Sequence, residues 1–101
     1  MRRVRWSKEA RDAQRDWLDH LEQIDPRLTD RALAESEVLS LRVGEGPFRF
    51  RPSRWRGLRE ASLIRWRKIV VFQVRDDEVL IISFYDARQD LTGVQPVPES
   101  N

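Results

Sequence analysis

The sequence predicts a single α+β domain with the order β-α-α-β-β-β, in which a helical hairpin packs on a small antiparallel sheet. Three observations support this prediction: an apolar stripe at helical spacing near the N-terminus, a proline directly after a helix end, and two strongly apolar runs separated by an acidic turn. With 101 residues, the chain has room for one modest core. We assign residues 1–93 to the domain and expect residues 94–101 to form a flexible C-terminal tail.

The N-terminal part of the chain predicts a short strand followed by two helices. Residues 2–6 alternate basic and apolar side chains, and Ser7 is a suitable N-cap. An amphipathic helix is then predicted from one apolar stripe, formed by Ala10, Ala13, Trp17, Leu21 and Ile24. Asp25 and Pro26 end this helix and start a second one that runs to about residue 41. Because the connection is so short, we expect the two helices to pack antiparallel.

The C-terminal half of the chain has the pattern of strands. Residues 55–63 are a candidate strand, and residues 67–74 and 79–85 form a hairpin around an acidic turn. The two hairpin strands are almost continuously apolar, so we expect them to be central and covered on both faces. The helices cover one face, and the other needs a partner or a shallow second core. We therefore expect the isolated chain to be poorly soluble or weakly associated.

Residue usage excludes several classes of protein. The chain has no cysteine and a single histidine, His20, which excludes a disulfide framework, thiolate metal sites and a histidine-rich metal site. The N-terminal residues lack the apolar run of a secretory signal, and no apolar segment is long enough to span a membrane. We expect a cytoplasmic protein that uses no metal and no cofactor.

The charge is concentrated in the middle of the chain. Residues 42–68 contain nine basic and two acidic residues, a net charge of +7, although the whole chain carries only +2. Arginine predominates, and its planar guanidinium suits carboxylates and phosphates. This segment predicts either a solvated surface or a surface for a polyanion or an acidic partner. The candidate binding residues are Arg49, Arg51, Arg54, Arg56, Arg59 and Arg65. Trp55 and Trp66 lie among them and serve either stacking or packing.

Four stretches of the chain, taken in order, resemble the RelE/ParE superfamily of bacterial toxins. Residues 4–10 (VRWSKEA) are similar to its first strand and capped helix, and residues 50–60 (FRPSRWRGLRE) to the segment that leads into its second strand. Residues 69–82 (IVVFQVRDDEVLII) resemble its paired central strands, and residues 85–90 (YDARQD) the ending of ParE-like members. The resemblance implies the toxin of a type II toxin–antitoxin system, which inhibits growth, serves plasmid stabilization and is neutralised by a cognate antitoxin.

The resemblance implies one of two targets. RelE-like members are ribosome-dependent, metal-independent endoribonucleases that cleave mRNA, whereas ParE-like members share the fold and poison DNA gyrase. For a nuclease the candidate catalytic residues are Arg67, Tyr85 and Arg88, because cleavage needs proton transfer and charge stabilisation at the phosphate. In a gap-free comparison, Ile69 occupies the position where RelE-like toxins have an arginine, so the ParE-like branch is favoured. Arg67 lies two residues earlier, which is one strand period, so it could still point to the same face and a nuclease stays open. A non-toxic RNA- or protein-binding module is a third alternative.

Overall fold

A computed structural model describes residues 1–94 and residue 96. It contains two long helices and four strands, in the predicted order: β1 (Arg3–Trp6), α1 (Lys8–Ile24), α2 (Pro26–Glu45), β2 (Arg59–Leu63), β3 (Lys68–Val74) and β4 (Glu78–Asp86). The predicted α+β class is therefore confirmed. Within the described residues, neither helix combines the length and the hydrophobicity that a membrane-spanning helix needs. Of the predicted tail, Gln95 and residues 97–101 lie outside the description.

Both helices begin at the predicted caps. The Ser7 hydroxyl accepts a hydrogen bond of 3.1 Å from the backbone N–H of Ala10, and the Asp25 carboxylate accepts one of 3.0 Å from the N–H of Arg27. The second helix is four residues longer than predicted, because its last turn packs against β1. Gly44 allows this contact, since a Cβ atom there would lie 2.7 Å from the carbonyl oxygen of Arg2.

The sheet has the strand order β1-β4-β3-β2. It is mixed, whereas the sequence predicted a wholly antiparallel sheet. The hairpin of β3 and β4 forms as predicted, and β2 pairs antiparallel with β3. In contrast, β1 pairs in parallel with β4, so that Arg3 is opposite Glu78 and Trp6 opposite Ile81. A parallel pair needs a long crossover connection, and the helical hairpin with β2 and β3 supplies it.

A β-bulge in β4 determines which side chains face the helices. Val71 is opposite Ser83 and Phe72 is opposite Ile81, so Ile82 is the extra residue of β4. Without the bulge, strict alternation from Ile81 would put Phe84 on the face away from the helices. With it, Phe84 joins the core under the helices, and Tyr85 lies on the other face.

Each face of the sheet has its own core. Under the helices, Val70, Phe72, Ile81 and Phe84 pack with the apolar stripe of α1. On the opposite face, a shallow core is formed by Leu58, Ile69, Val71, Leu80 and Ile82, with Trp55 and Tyr85 packed against it. Leu80 is fully buried there. Of the two alternatives expected for this face, the shallow core is therefore confirmed. The expectation of poor solubility assumed strands without cover, and that premise is wrong because the segment before β2 folds back over them.

Candidate functional site

We call the side of the sheet that faces away from the helices the open face. On it, Glu60 and Ser62 lie two residues apart on β2 and therefore point the same way. The Arg51 guanidinium donates to both, with 2.8 Å from Nε to the Glu60 carboxylate and 3.3 Å to the Ser62 hydroxyl. Glu60 is only 9% exposed, so this ion pair lies at the margin of the shallow core.

Tyr85 lies on the open face within an aromatic and charged environment. Its ring packs edge-on against Trp55, with 6.0 Å between the ring centroids. Burial raises the pKa of the Tyr85 hydroxyl, and the nearby Glu60 carboxylate raises it further, while Arg54 and Arg51 act in the opposite direction. The phenol is therefore protonated at neutral pH and can donate a proton or a hydrogen bond.

Arg88 is bound to a carboxylate on the other side of the sheet. Its guanidinium donates two hydrogen bonds to Asp86, of 3.1 and 3.0 Å, and its backbone N–H donates a third of 2.8 Å. These bonds, together with Lys68, hold the pKa of the Asp86 carboxyl far below its usual range. Because Asp86 follows Tyr85 directly on β4, the two side chains point to opposite faces. The structure does not bring Tyr85 and Arg88 together.

Arg67 lies in a turn and not, as the sequence suggested, at the start of β3. Its backbone is left-handed, with a φ of 54°, and its N–H donates to the Ile64 carbonyl at 3.2 Å. Its carbonyl accepts a hydrogen bond of 2.7 Å from Ala87, which ties this turn to the end of β4. Strand alternation therefore does not determine where Arg67 points, and its side chain is exposed.

Four of the six candidate binding arginines already have partners within the protein. Arg51 binds Glu60, as described above, and Arg59 donates to the Phe50 carbonyl at 2.7 Å. The guanidinium of Arg65, just after β2, lies 3.9 Å from the Glu35 carboxylate of α2. The Arg54 guanidinium lies over the Trp55 ring, 5.7 Å from the ring centroid. These contacts place the four arginines on different parts of the surface.

The other two candidates, Arg49 and Arg56, are exposed and form no ion pair within residues 1–94 and 96.

Both tryptophans among the arginines serve packing. The Trp66 ring lies edge-on to the Trp17 ring, with 5.7 Å between the ring centroids, and its indole N–H donates to the Glu35 carboxylate. The Trp55 indole N–H donates to the carbonyl of Val94 at 2.9 Å.

Glu60 is a site residue that was not predicted from the sequence. The signal for it is its spacing: Glu60 and Ser62 alternate with apolar residues along a strand, which indicates a polar patch on one face. Among the described residues, no group of three or more His, Cys, Asp or Glu side chains is arranged so as to hold a metal ion.

Comparison with known proteins gives a likeness in fold. No protein-family model matches the chain, and no curated protein is detectably similar to it. Among solved structures, a chain of the one described as "Chromosomal ParDE TA system from P. aeruginosa" is similar, with a TM-score of 0.66 and 22% sequence identity. The match covers 87% of this chain and 98% of that chain. The chain therefore shares its fold with a ParDE toxin–antitoxin protein, which confirms, at the level of the fold, the resemblance to RelE/ParE-type toxins.

Proposed function

We propose that this chain is the toxin of a bacterial type II toxin–antitoxin system, that a cognate antitoxin neutralises it in the cytoplasm, and that DNA gyrase is its target. The observation that carries the proposal is the likeness in fold, which spans nearly the whole of a chain from a ParDE system. The order of the four resembling stretches between residues 3 and 90 supports the same assignment.

The arrangement of the candidate catalytic residues favours gyrase over mRNA as the target. A metal-independent nuclease needs its proton donor and its phosphate-binding cations on one surface. Here Tyr85 lies on the open face, Arg88 is paired with Asp86 on the other face, and Arg67 lies in a turn. In contrast, poisoning of gyrase requires only a binding surface, for which Arg54 and Arg56 are accessible.

A RelE-like endoribonuclease is the second candidate, because one observation favours it. Glu60, Arg51 and Tyr85 share the open face, where Arg51 binds Glu60 and both charges act on the pKa of the Tyr85 hydroxyl, so a carboxylate, a cation and a protonated phenol lie on one surface. A carboxylate can serve as general base and a phenol as general acid in phosphoryl transfer. In this arrangement Arg51 would have to leave Glu60 to reach a phosphate.

The first experiment tests the toxin assignment. The chain is produced in a bacterium from a tightly regulated promoter, alone or with the small open reading frame that adjoins its gene. We expect growth arrest in the first case and normal growth in the second. Normal growth with verified soluble, folded protein would contradict the proposal.

The second experiment separates the two targets. Purified protein is incubated with gyrase and relaxed plasmid, and in parallel with ribosomes that translate a defined message. We expect lost supercoiling and intact message. Message cleaved within ribosomes, with supercoiling unaffected, would replace gyrase with mRNA as the target but would leave the toxin assignment in place.

A further inference from the structure

The side of α2 that lies next to β2 leaves large apolar side chains exposed to water. Val38 is 54% exposed, and Ile64, in the turn after β2, is 85% exposed. Both line one depression of about 450 Å³, whose lining also includes the buried side chains of Leu39 and Leu63. We call Val38, Ile64 and this depression the α2 patch. The patch is continuous with the core, and a partner that covers it gains hydrophobic stabilisation.

The turn that carries Ile64 is held in place by α2. The Glu35 carboxylate accepts a hydrogen bond of 2.9 Å from the Trp66 indole and lies 3.9 Å from the Arg65 guanidinium. The N–H of Arg67 closes the turn by donating to the Ile64 carbonyl at 3.2 Å. Because the residues after Ile64 are anchored in this way, the turn fixes the isoleucine as a projecting apolar side chain.

The charges around the α2 patch have both signs. Along α2, Glu35 precedes Val38 by three residues and Arg42 follows it by four, while Arg31 precedes it by seven and Glu45 follows it by seven. Arg31, Arg42 and Glu45 are exposed and form no ion pair within the described part of the chain. A uniformly acidic or uniformly basic partner would therefore meet charges of its own sign. The matching partner carries both signs in the reverse order.

A second copy of the same face has this reverse order. A two-fold axis that passes beside Val38 places the two α2 helices antiparallel. At 1.5 Å per residue, Arg31 of one copy and Glu45 of the other then lie at the same height, about 10.5 Å from the axis. Glu35 and Arg42 lie on one side of α2, two turns apart, and oppose each other across the axis to within about 1.5 Å. Each pair occurs twice, so four pairs of opposite charge surround the apolar contact.

We propose that two copies of this chain associate through the α2 patch, with their α2 helices antiparallel about a two-fold axis at Val38. Val38 meets its counterpart, and Ile64 of each copy packs against the depression of the other. The assembly closes at two copies, because both copies use the same surface. The contact is small, so we expect a dissociation constant in roughly the micromolar range. This inference does not depend on the proposed function.

Sedimentation at increasing protein concentration tests the association itself. We expect a reversible shift from monomer to dimer and no larger species, since a surface that pairs with itself is used up in the dimer. A chain that stays monomeric up to about 1 mM, where specific association is already weak, would overturn the inference. Continued growth beyond the dimer would also overturn it.

Reversal of the outer charges tests the two-fold arrangement without changing the apolar contact. In Arg31→Glu and in Glu45→Arg, like charges face each other at two places in the dimer, so each variant alone should dimerise at least about tenfold more weakly. An equal mixture of the two variants should associate as tightly as the parent, because every outer contact in the mixed dimer again joins opposite charges. Arg3→Glu, on the exposed side of β1, should dimerise like the parent. No recovery in the mixture would overturn the proposal.

Matched apolar variants locate the contact. Ile64→Asp should abolish dimerisation, because the new carboxylate would be buried against the other copy without a partner. Ile24→Asp is the control, since Ile24 is 61% exposed at the end of α1 and does not line the depression. It should leave dimerisation unchanged, and circular dichroism verifies that both variants are folded. Equal effects of the two substitutions would overturn the inference.

A single cysteine tests which residue lies on the axis. The chain contains no cysteine, so a disulfide in Val38→Cys can form only between copies. Under mild oxidation we expect Val38→Cys to become a covalent dimer far faster than Leu41→Cys, because a residue on a two-fold axis lies next to its own counterpart. Leu41 is also 54% exposed on α2 but does not line the depression. Equal rates would overturn the assignment.

The alternative occupant of this face is a different protein. If the chain stays monomeric, and Ile64→Asp instead loses binding to the product of the adjoining open reading frame, the α2 patch is a docking site for that protein. This outcome would replace the proposed dimer.

Discussion

The side-chain amide of Gln14 donates a hydrogen bond of 2.9 Å to the hydroxyl of Ser36, and this bond joins α1 to α2 inside the core. Both side chains are buried, at 4% and 2% exposure. The Ser36 hydroxyl donates in turn to the Leu33 carbonyl, at 3.0 Å, and the Gln14 carbonyl oxygen accepts from Arg11. The pair therefore fixes the register of the helical hairpin while its polar groups remain satisfied.

The pair should show strong coupling in a double-mutant cycle. Ser36→Ala leaves the buried Gln14 amide without its acceptor, so we expect a loss of about 1–3 kcal/mol in the free energy of unfolding. In the double variant with Gln14→Leu, the loss should be smaller than the sum of the two single losses, because no donor is left unpaired. Urea denaturation followed by circular dichroism measures all four proteins. Strictly additive losses would show that the bond contributes nothing specific.

The Asp86 cluster should make stability depend on pH in the acid range. The pKa of Asp86 in the folded protein is lowered, chiefly by the hydrogen bonds from Arg88, so its ionised form stabilises the fold. This contribution is complete above the ordinary carboxyl pKa of about 4 and is lost as the pH falls below that value. We expect Asp86→Asn to lower the melting temperature at pH 7 and to make less difference as the pH falls below about 4.

A matched control for this measurement is Asp30→Asn. Asp30 is exposed on α2 and forms no ion pair within the described part of the chain. This variant should melt like the parent protein at pH 7. If the difference between the parent and Asp86→Asn were the same at pH 7 and at pH 2, the cluster would not be the source of the acid sensitivity.

Trp55 should be needed to keep the second core of the sheet away from water. It packs against Tyr85 and donates to the Val94 carbonyl, and thereby covers strands whose apolar side chains would otherwise be exposed. Trp55 is only partly buried, so we expect Trp55→Ala to cost roughly 1–3 kcal/mol, below the 3–5 typical of a fully buried tryptophan. Sedimentation should show that the variant forms larger species than the parent as the concentration increases. A variant of unchanged size and unchanged stability would contradict this role.

The proposed target predicts which substitutions relieve growth inhibition. If the chain binds gyrase, Arg54→Glu combined with Arg56→Glu should weaken inhibition of supercoiling at least about tenfold, because both exposed charges are reversed. Tyr85→Phe should then have little effect, since the ring and its packing against Trp55 remain. If the chain is a nuclease that uses Glu60, Tyr85 and Arg51 on the open face, Tyr85→Phe should instead slow message cleavage by about 10²–10⁴, because the phenol is then its general acid. Arg3→Glu serves as the control, and thermal melting verifies that each variant is folded.

Local chemistry allowed the sequence to determine most elements of this fold. Ser7 and Asp25 have side chains that cap helices whatever surrounds them, and the stripe from Ala10 to Leu21 can be buried only on one side of a helix. The apolar runs around the acidic turn likewise predicted the hairpin of β3 and β4. These features depend on residues close together in the chain, so periodicity and residue type were sufficient.

Only the tertiary structure decided which side chains share a face. The bulge at Ile82 reverses the alternation of β4, so it places Tyr85 on the same face as Glu60 and directs Asp86, with Arg88, to the other side. The parallel pairing of β1 likewise creates the groove beside Trp6. Both depend on contacts between residues far apart in the chain. No local pattern reports them, because a shift of one residue in a strand exchanges its two faces without changing its composition.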